Sequence, residues 1–189
     1  MWTQLRKSFF FIVISFAGQS SFGQLKDSIP SDFGKRTGIF IQVTKGNLQA
    51  IINKSIRQSE PTKVSFPSNP WIACNQDSSF YKMDTAYFCT NNYYTQTNSN
   101  CCQFINWTFY DPDAFIRTQE QICKEPASAK SYTDDDNFKI VLNDNNGVLY
   151  IQLFNRKKLV DNFRVLSLER QKKSGADREF EIIKLVRQR

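Results

Sequence analysis

Residues 138–154 run Phe-Lys-Ile-Val-Leu-Asn-Asp-Asn-Asn-Gly-Val-Leu-Tyr-Ile-Gln-Leu-Phe. Phe138, Ile140 and Leu142 alternate with Lys139 and Val141, which is the period of a strand with one buried face. Asn143 to Gly147 separate this run from a second one, Val148 to Phe154. The closing Asn-Gly supplies the positive backbone angles that a tight hairpin requires. The stretch predicts a β-hairpin.

The same texture spreads outward in both directions. Phe104 to Tyr110 and Ala114 to Thr118 flank Asp111-Pro112-Asp113, where proline fixes one turn dihedral and the aspartates cap it. Tyr81 to Cys89 and Tyr93 to Thr97 flank Thr90-Asn91-Asn92, and Leu159 to Glu169 and Glu179 to Arg187 flank a polar loop, Gln171 to Asp177, that contains Gly175. Four successive hairpins predict a mainly β fold, an antiparallel up-and-down meander of about eight strands. A sheet of that size removes its aggregation-prone edges by closing into a barrel. The period slips at Val165, Leu166 and Leu168 and again at Ile182 and Ile183, which predicts bulges or strands that are apolar on both sides.

Ahead of Pro70 the pattern is looser. Gly38 to Val43 suits a short strand. Leu48, Ile51, Ile52 and Ile56 form one apolar stripe, so a short helix from about Asn47 to Gln58 is expected to pack against the core. At the start, Arg6 and Lys7 precede an uncharged apolar run, Ser8 to Ala17, too short to span a bilayer. With the small residues of Ser21-Phe22-Gly23 this predicts a signal peptide over 1–23, cut ahead of Gln24 or near Ala17-Gly18-Gln19. The expected organisation is signal peptide 1–23, N-terminal extension 24–70 and β-barrel domain 71–189. The mature form is then secreted or periplasmic, with no membrane span.

Export changes the meaning of the five cysteines, Cys74, Cys89, Cys101, Cys102 and Cys123. In an oxidising compartment clustered cysteines without a C-x-x-C favour disulfides over metal ligation. Because five is odd, at least one thiol remains outside intramolecular bridges. The preferred pairing joins Cys74 to Cys89 and one of the neighbours Cys101 and Cys102 to Cys123, among several that sequence leaves open.

Asp84-Thr85-Ala86-Tyr87-Phe88, Asn106-Trp107-Thr108-Phe109, Asn145 to Ile151, Phe163 to Leu168 and Phe180 to Leu185 together resemble the small lipocalin-like domains exported by bacteria. The resemblance covers roughly Trp71 to Arg189 and lies in strand texture. It implies a calycin-type barrel. The G-x-W motif of better known lipocalins is absent, since Trp71 follows Asn69-Pro70.

The sequence contains no histidine, so histidine-dependent catalysis is excluded and no zinc set presents itself. No enzyme activity, cofactor or metal is expected. Asp134-Asp135-Asp136 lacks the glycine and distal glutamate of a calcium loop and suits a solvated linker. The inward aromatic subset, taken as Tyr87, Trp107, Phe109 and Phe115, is the candidate lining for a small apolar ligand. The functional expectation is a non-enzymatic lipocalin-like binding module for a small hydrophobic ligand or an envelope partner. The alternative is a structural or interaction protein of the cell envelope whose barrel is filled and holds no ligand. Basic clusters such as Arg156-Lys157-Lys158 suit a solvated surface, and no nucleic-acid partner is expected. The oligomeric state is left open.

Overall fold

The computed structural model describes residues 38–56, 69–90, 101–123, 127–129, 133–172 and 179–189. The expected signal peptide and the expected strand Tyr93 to Thr97 lie outside them. Among the described residues ten strands run in chain order: β1 Ile39–Ile41, β2 Trp71–Cys74, β3 Thr85–Cys89, β4 Gln103–Asp111, β5 Ala114–Gln121, β6 Ser128–Ala129, β7 Asn137–Asn145, β8 Val148–Asn155, β9 Lys158–Lys172 and β10 Glu179–Arg187. Two short helices accompany them, α1 Lys45–Ser55 and α2 Ser79–Lys82.

The Asn-Gly hairpin forms as its residues demand. Asn146 and Gly147 sit at φ 54° and 79°, Asn145 pairs with Val148, and the Asp144 carboxylate accepts a hydrogen bond from the Gly147 N–H at 3.0 Å. β4 and β5 pair around Pro112-Asp113, and β9 pairs with β10. The next turn along, between β8 and β9, places Arg156 and Lys157 at φ 45° and 73°. Neither of its two central residues is glycine or asparagine, and side chains at such angles are strained.

Pairing of β8 with β9 closes the ring β9–β10–β3–β2–β4–β5–β7–β8 into an eight-stranded antiparallel barrel. Strand β1 is an extra one. β9 is 15 residues long; its first half pairs with β8, and β1 occupies the same edge further on, Ile41 opposite Leu168. The sequential order has one departure. Trp71–Cys74 forms a strand that inserts between β3 and β4, Trp71 opposite Trp107 and Ile72 opposite Cys89. Tyr81 also differs from expectation: Phe80-Tyr81-Lys82 wind into α2 rather than opening a strand, after Asp77 and Ser78 turn the chain at φ 55° and 61°.

Both anomalies of period have physical counterparts. Lys184 faces Ser167 but Leu185 faces Val165, so Leu166 is the extra residue of a β-bulge. Ile183 is fully buried in the main core while Ile182 belongs to a second cluster on the other face of the same strand.

The main core fills the barrel. Trp71, Phe88, Trp107, Phe109, Phe115 and Phe163 are all fully buried there. Helix α1 begins where the Thr44 hydroxyl accepts from the Asn47 N–H, and it ends at Ile56, whose backbone is extended. Its Leu48, Ile51 and Ile52 enter the same core, each contributing about 1.5–3 kcal/mol by burial. α1 thus covers one end of the barrel, with Gln49 bonded to the Pro112 carbonyl in the β4–β5 turn. α2 covers the other end and inserts Phe80.

Candidate functional site

Trp107 and Phe109 alternate inward along β4, and Phe115 points inward from β5. They meet in the lumen: Trp107 stacks on Phe115 at 4.7 Å between centroids, and Phe109 lies 5.3 Å from Phe115. Tyr87 does not join them. On β3 the inward positions are Ala86 and Phe88, so Tyr87 faces out and packs beside the second cluster, with the Lys184 ammonium 5.0 Å from its ring centroid. The inward place expected for Tyr87 is held by Phe88, 4.3 Å from Trp107.

The two lumen tryptophans differ in their polar ends. Trp71 Nε1 donates to the Ser55 hydroxyl of α1 at 3.0 Å. Trp107 Nε1 is buried without an acceptor, an unmade bond that carries a desolvation cost.

At the α1 end, Glu181 is buried, its side chain 2% exposed. It accepts from Lys54 of α1 at 2.8 Å and from the Thr90 hydroxyl at 2.8 Å, with Arg170 at 3.4 Å. Burial pushes the Glu181 carboxyl up, yet the bonds from Lys54 and Thr90 and the charges of Lys54 and Arg170 outweigh it, holding the group below the usual glutamate range. A folded-state value below the unfolded one stabilises the protein above the unfolded glutamate value of about 4.3, and the contribution is lost as pH falls through the lower folded value. The stability advantage of wild type over Glu181→Gln in urea titrations is therefore expected to shrink on acidification below that point. A difference that stays constant with pH would contradict the assignment.

At the α2 end the balance has the opposite sign. Arg187 Nε holds Asp161 at 2.9 Å, but burial prevails over that cation and raises the Asp161 carboxyl above the usual aspartate range. The Arg187 guanidinium lies between the rings of Phe80 and Phe163, 5.2 and 5.0 Å from their centroids. It also donates to the carbonyls of Phe80 and Tyr81, each at 3.1 Å. Sequence reading missed these charged groups. The available signal was phase: Asp161 precedes Phe163, Arg187 follows Leu185, and Glu181 precedes Ile183 at the two-residue interval that shares a face.

The outer cluster, Ile72, Cys89, Cys101, Phe104, Phe180 and Ile182, lies on the outward side of β2, β3, β4 and β10. Cys74 pairs with Cys101 and Cys102 with Cys123, at Cα separations of 6.0 and 5.2 Å. The expected link to Cys123 thus forms through Cys102, whereas the expected Cys74–Cys89 bridge is replaced. The register explains it: Cys89 stands opposite Ile72, while Cys74 stands opposite Phe104, beside the approach of Cys101 to β4. Cys89 is buried and takes part in neither bridge.

Asp134–Asp136 form a 3-10 turn closed by a capping box with Thr133. Asn155 donates to the Asp135 carbonyl at 2.7 Å and Arg156 pairs with its carboxylate at 3.0 Å, so the acidic run anchors the β8–β9 turn. Among the described residues no group of three or more histidine, cysteine or carboxylate side chains gathers as a metal would require. No described helix is long and apolar enough to cross a membrane. The two disulfides are compatible with an extracytoplasmic location.

No protein-family model, no curated protein and no solved structure matches the chain.

Proposed function

We propose that this protein is an exported, non-enzymatic interaction module of the cell envelope, secreted or periplasmic after removal of residues 1–23, whose filled barrel serves as a rigid scaffold. The observation that carries the reading is the lumen. Trp71, Trp107, Phe109, Phe115 and Phe163 are fully buried against one another, and α1 and α2 each insert apolar side chains at an end. An eight-stranded barrel is just wide enough either to be packed or to hold one small molecule; packing of this kind favours the first. Absence of histidine and the engagement of Glu181 and Asp161 with cations at opposite ends support a role without catalysis. Kinship with exported lipocalin-like domains is part of the proposal and rests on the barrel architecture and strand texture.

One observation favours the ligand-binding reading: Trp107 Nε1 has no acceptor, and an oxygen of a lumen ligand would supply one. The two readings separate in a titration with a fluorescent fatty acid. The scaffold reading expects no saturable binding. Stoichiometric, saturable binding that quenches tryptophan emission would overturn it and restore the ligand carrier.

A further inference from the structure

Among the described residues, the α2 end of the barrel carries more buried or half-buried positive charge than negative. Arg117 on β5 shares the inward phase of Phe115, Asp161 that of Phe163, and Arg187 that of Leu185. Asp161 and Arg187 are only 15% and 11% exposed. The Arg117 guanidinium lies 4.3 Å from the Phe138 ring centroid and 5.8 Å from that of Tyr81, and it makes no ion pair among the described residues. Among the described residues, the charges of two guanidiniums therefore act on one carboxylate, Asp161, with Arg187 beside Phe80 and Phe163 and Arg117 beside Phe138. In addition, Arg187 Nη2 is buried with no acceptor, although Nε and Nη1 are both engaged.

A partly desolvated surplus cation is costly unless an anion accompanies it. Guanidinium forks match the paired oxygens of carboxylate and phosphate. Beside Arg117, Tyr81 is 40% exposed, and its hydroxyl accepts from the Gln119 amide at 3.1 Å.

We propose that the α2 end of the barrel binds an oxyanion, the carboxylate or phosphate group of a small ligand, between Arg117 and the unengaged Nη2 of Arg187. The site lies at the α2 end of the aromatic core, bordered by Phe80, Phe138 and Phe163 of that core, and stands whether the rest of the lumen is packed or holds a ligand.

Thermal unfolding of the mature protein in sodium phosphate, sodium acetate and sodium chloride at matched ionic strength tests it. Phosphate or acetate is expected to raise Tm above the chloride value, saturably and by about 4 °C or more at high excess over Kd. Whichever salt acts identifies the oxyanion chemistry. Arg117→Gln is expected to abolish the increment, and Arg117→Lys, which keeps the charge but loses the fork, to weaken apparent affinity by about fivefold or more. Equal Tm in all three salts would overturn the proposal, as would an increment that Arg117→Gln leaves unchanged. Should Arg117→Gln fail to fold, unaltered affinity in Arg117→Lys would overturn it equally.

Discussion

Replacing Arg187 by Met is expected to lower the unfolding free energy by about 3–5 kcal/mol, the range for removing one partner of a buried ion pair. Three losses coincide. Asp161 keeps its burial but loses the cation at 2.9 Å. The carbonyls of Phe80 and Tyr81 lose the donor that both share. Phe80 and Phe163 lose the guanidinium between their rings. Because a carboxylate left with only the unpaired charge of Arg117 nearby is the main cost, adding Asp161→Leu to Arg187→Met should recover part of the stability, a positive coupling in a double-mutant cycle. Urea unfolding reads both. A single-variant loss under about 1 kcal/mol would place the pair among surface bridges and contradict the closed α2 end.

The second large effect belongs to Trp107. Trp107→Ala is expected to cost about 3–5 kcal/mol, as for large aromatic residues removed from a packed core, since its ring touches Phe88, Phe115 and Phe163. The more discriminating comparison is between phenylalanine variants. Trp107→Phe gives up no hydrogen bond, because Nε1 has no acceptor, whereas Trp71→Phe removes the indole donor from the buried Ser55 hydroxyl, which keeps only its own bond to the Ile51 carbonyl. Trp71→Phe should therefore cost about 1 kcal/mol more than Trp107→Phe. Equal costs would show that Trp107 Nε1 is satisfied in solution.

Much of the barrel was legible because turns and alternation are local signals. Asn146-Gly147 and Pro112-Asp113 announce β7–β8 and β4–β5 from within a few residues, and the stripe Leu48, Ile51, Ile52, Ile56 announces α1. What failed depended on distant partners. Trp71-Ile72-Ala73-Cys74 has no alternation, since Trp71 and Ala73 face the lumen while Ile72 faces an outer cluster that is also buried. Nothing local distinguishes such a strand from an apolar loop. Phe80-Tyr81-Lys82 has strand-like residues, but one Phe80 ring inserted under the barrel outweighs that propensity. Tyr87 was misplaced for a related reason. Alternation defines two faces of β3, and only the neighbouring strands decide which of Tyr87 and Phe88 looks inward.

The cysteine pairing shows the same limit. Residue spacing does not favour Cys101 over Cys89 as partner of Cys74; the register Cys74 opposite Phe104 does. Charged lumen residues were hidden by composition. The stretch from Arg156 to Arg189 reads as a basic surface, and only the phase of its strands turns Asp161, Glu181 and Arg187 inward, where they close the two ends.

That closure is the centre of the account, and the indole resonances report on it. In an amide-and-indole nitrogen–proton NMR spectrum of the mature protein, Trp107 Nε1–H is expected to exchange slowly with solvent and to keep its chemical shift when laurate is added to excess. A rapidly exchanging Trp107 indole, or one whose resonance moves saturably with laurate, would show an open, ligand-accepting barrel and contradict the filled scaffold.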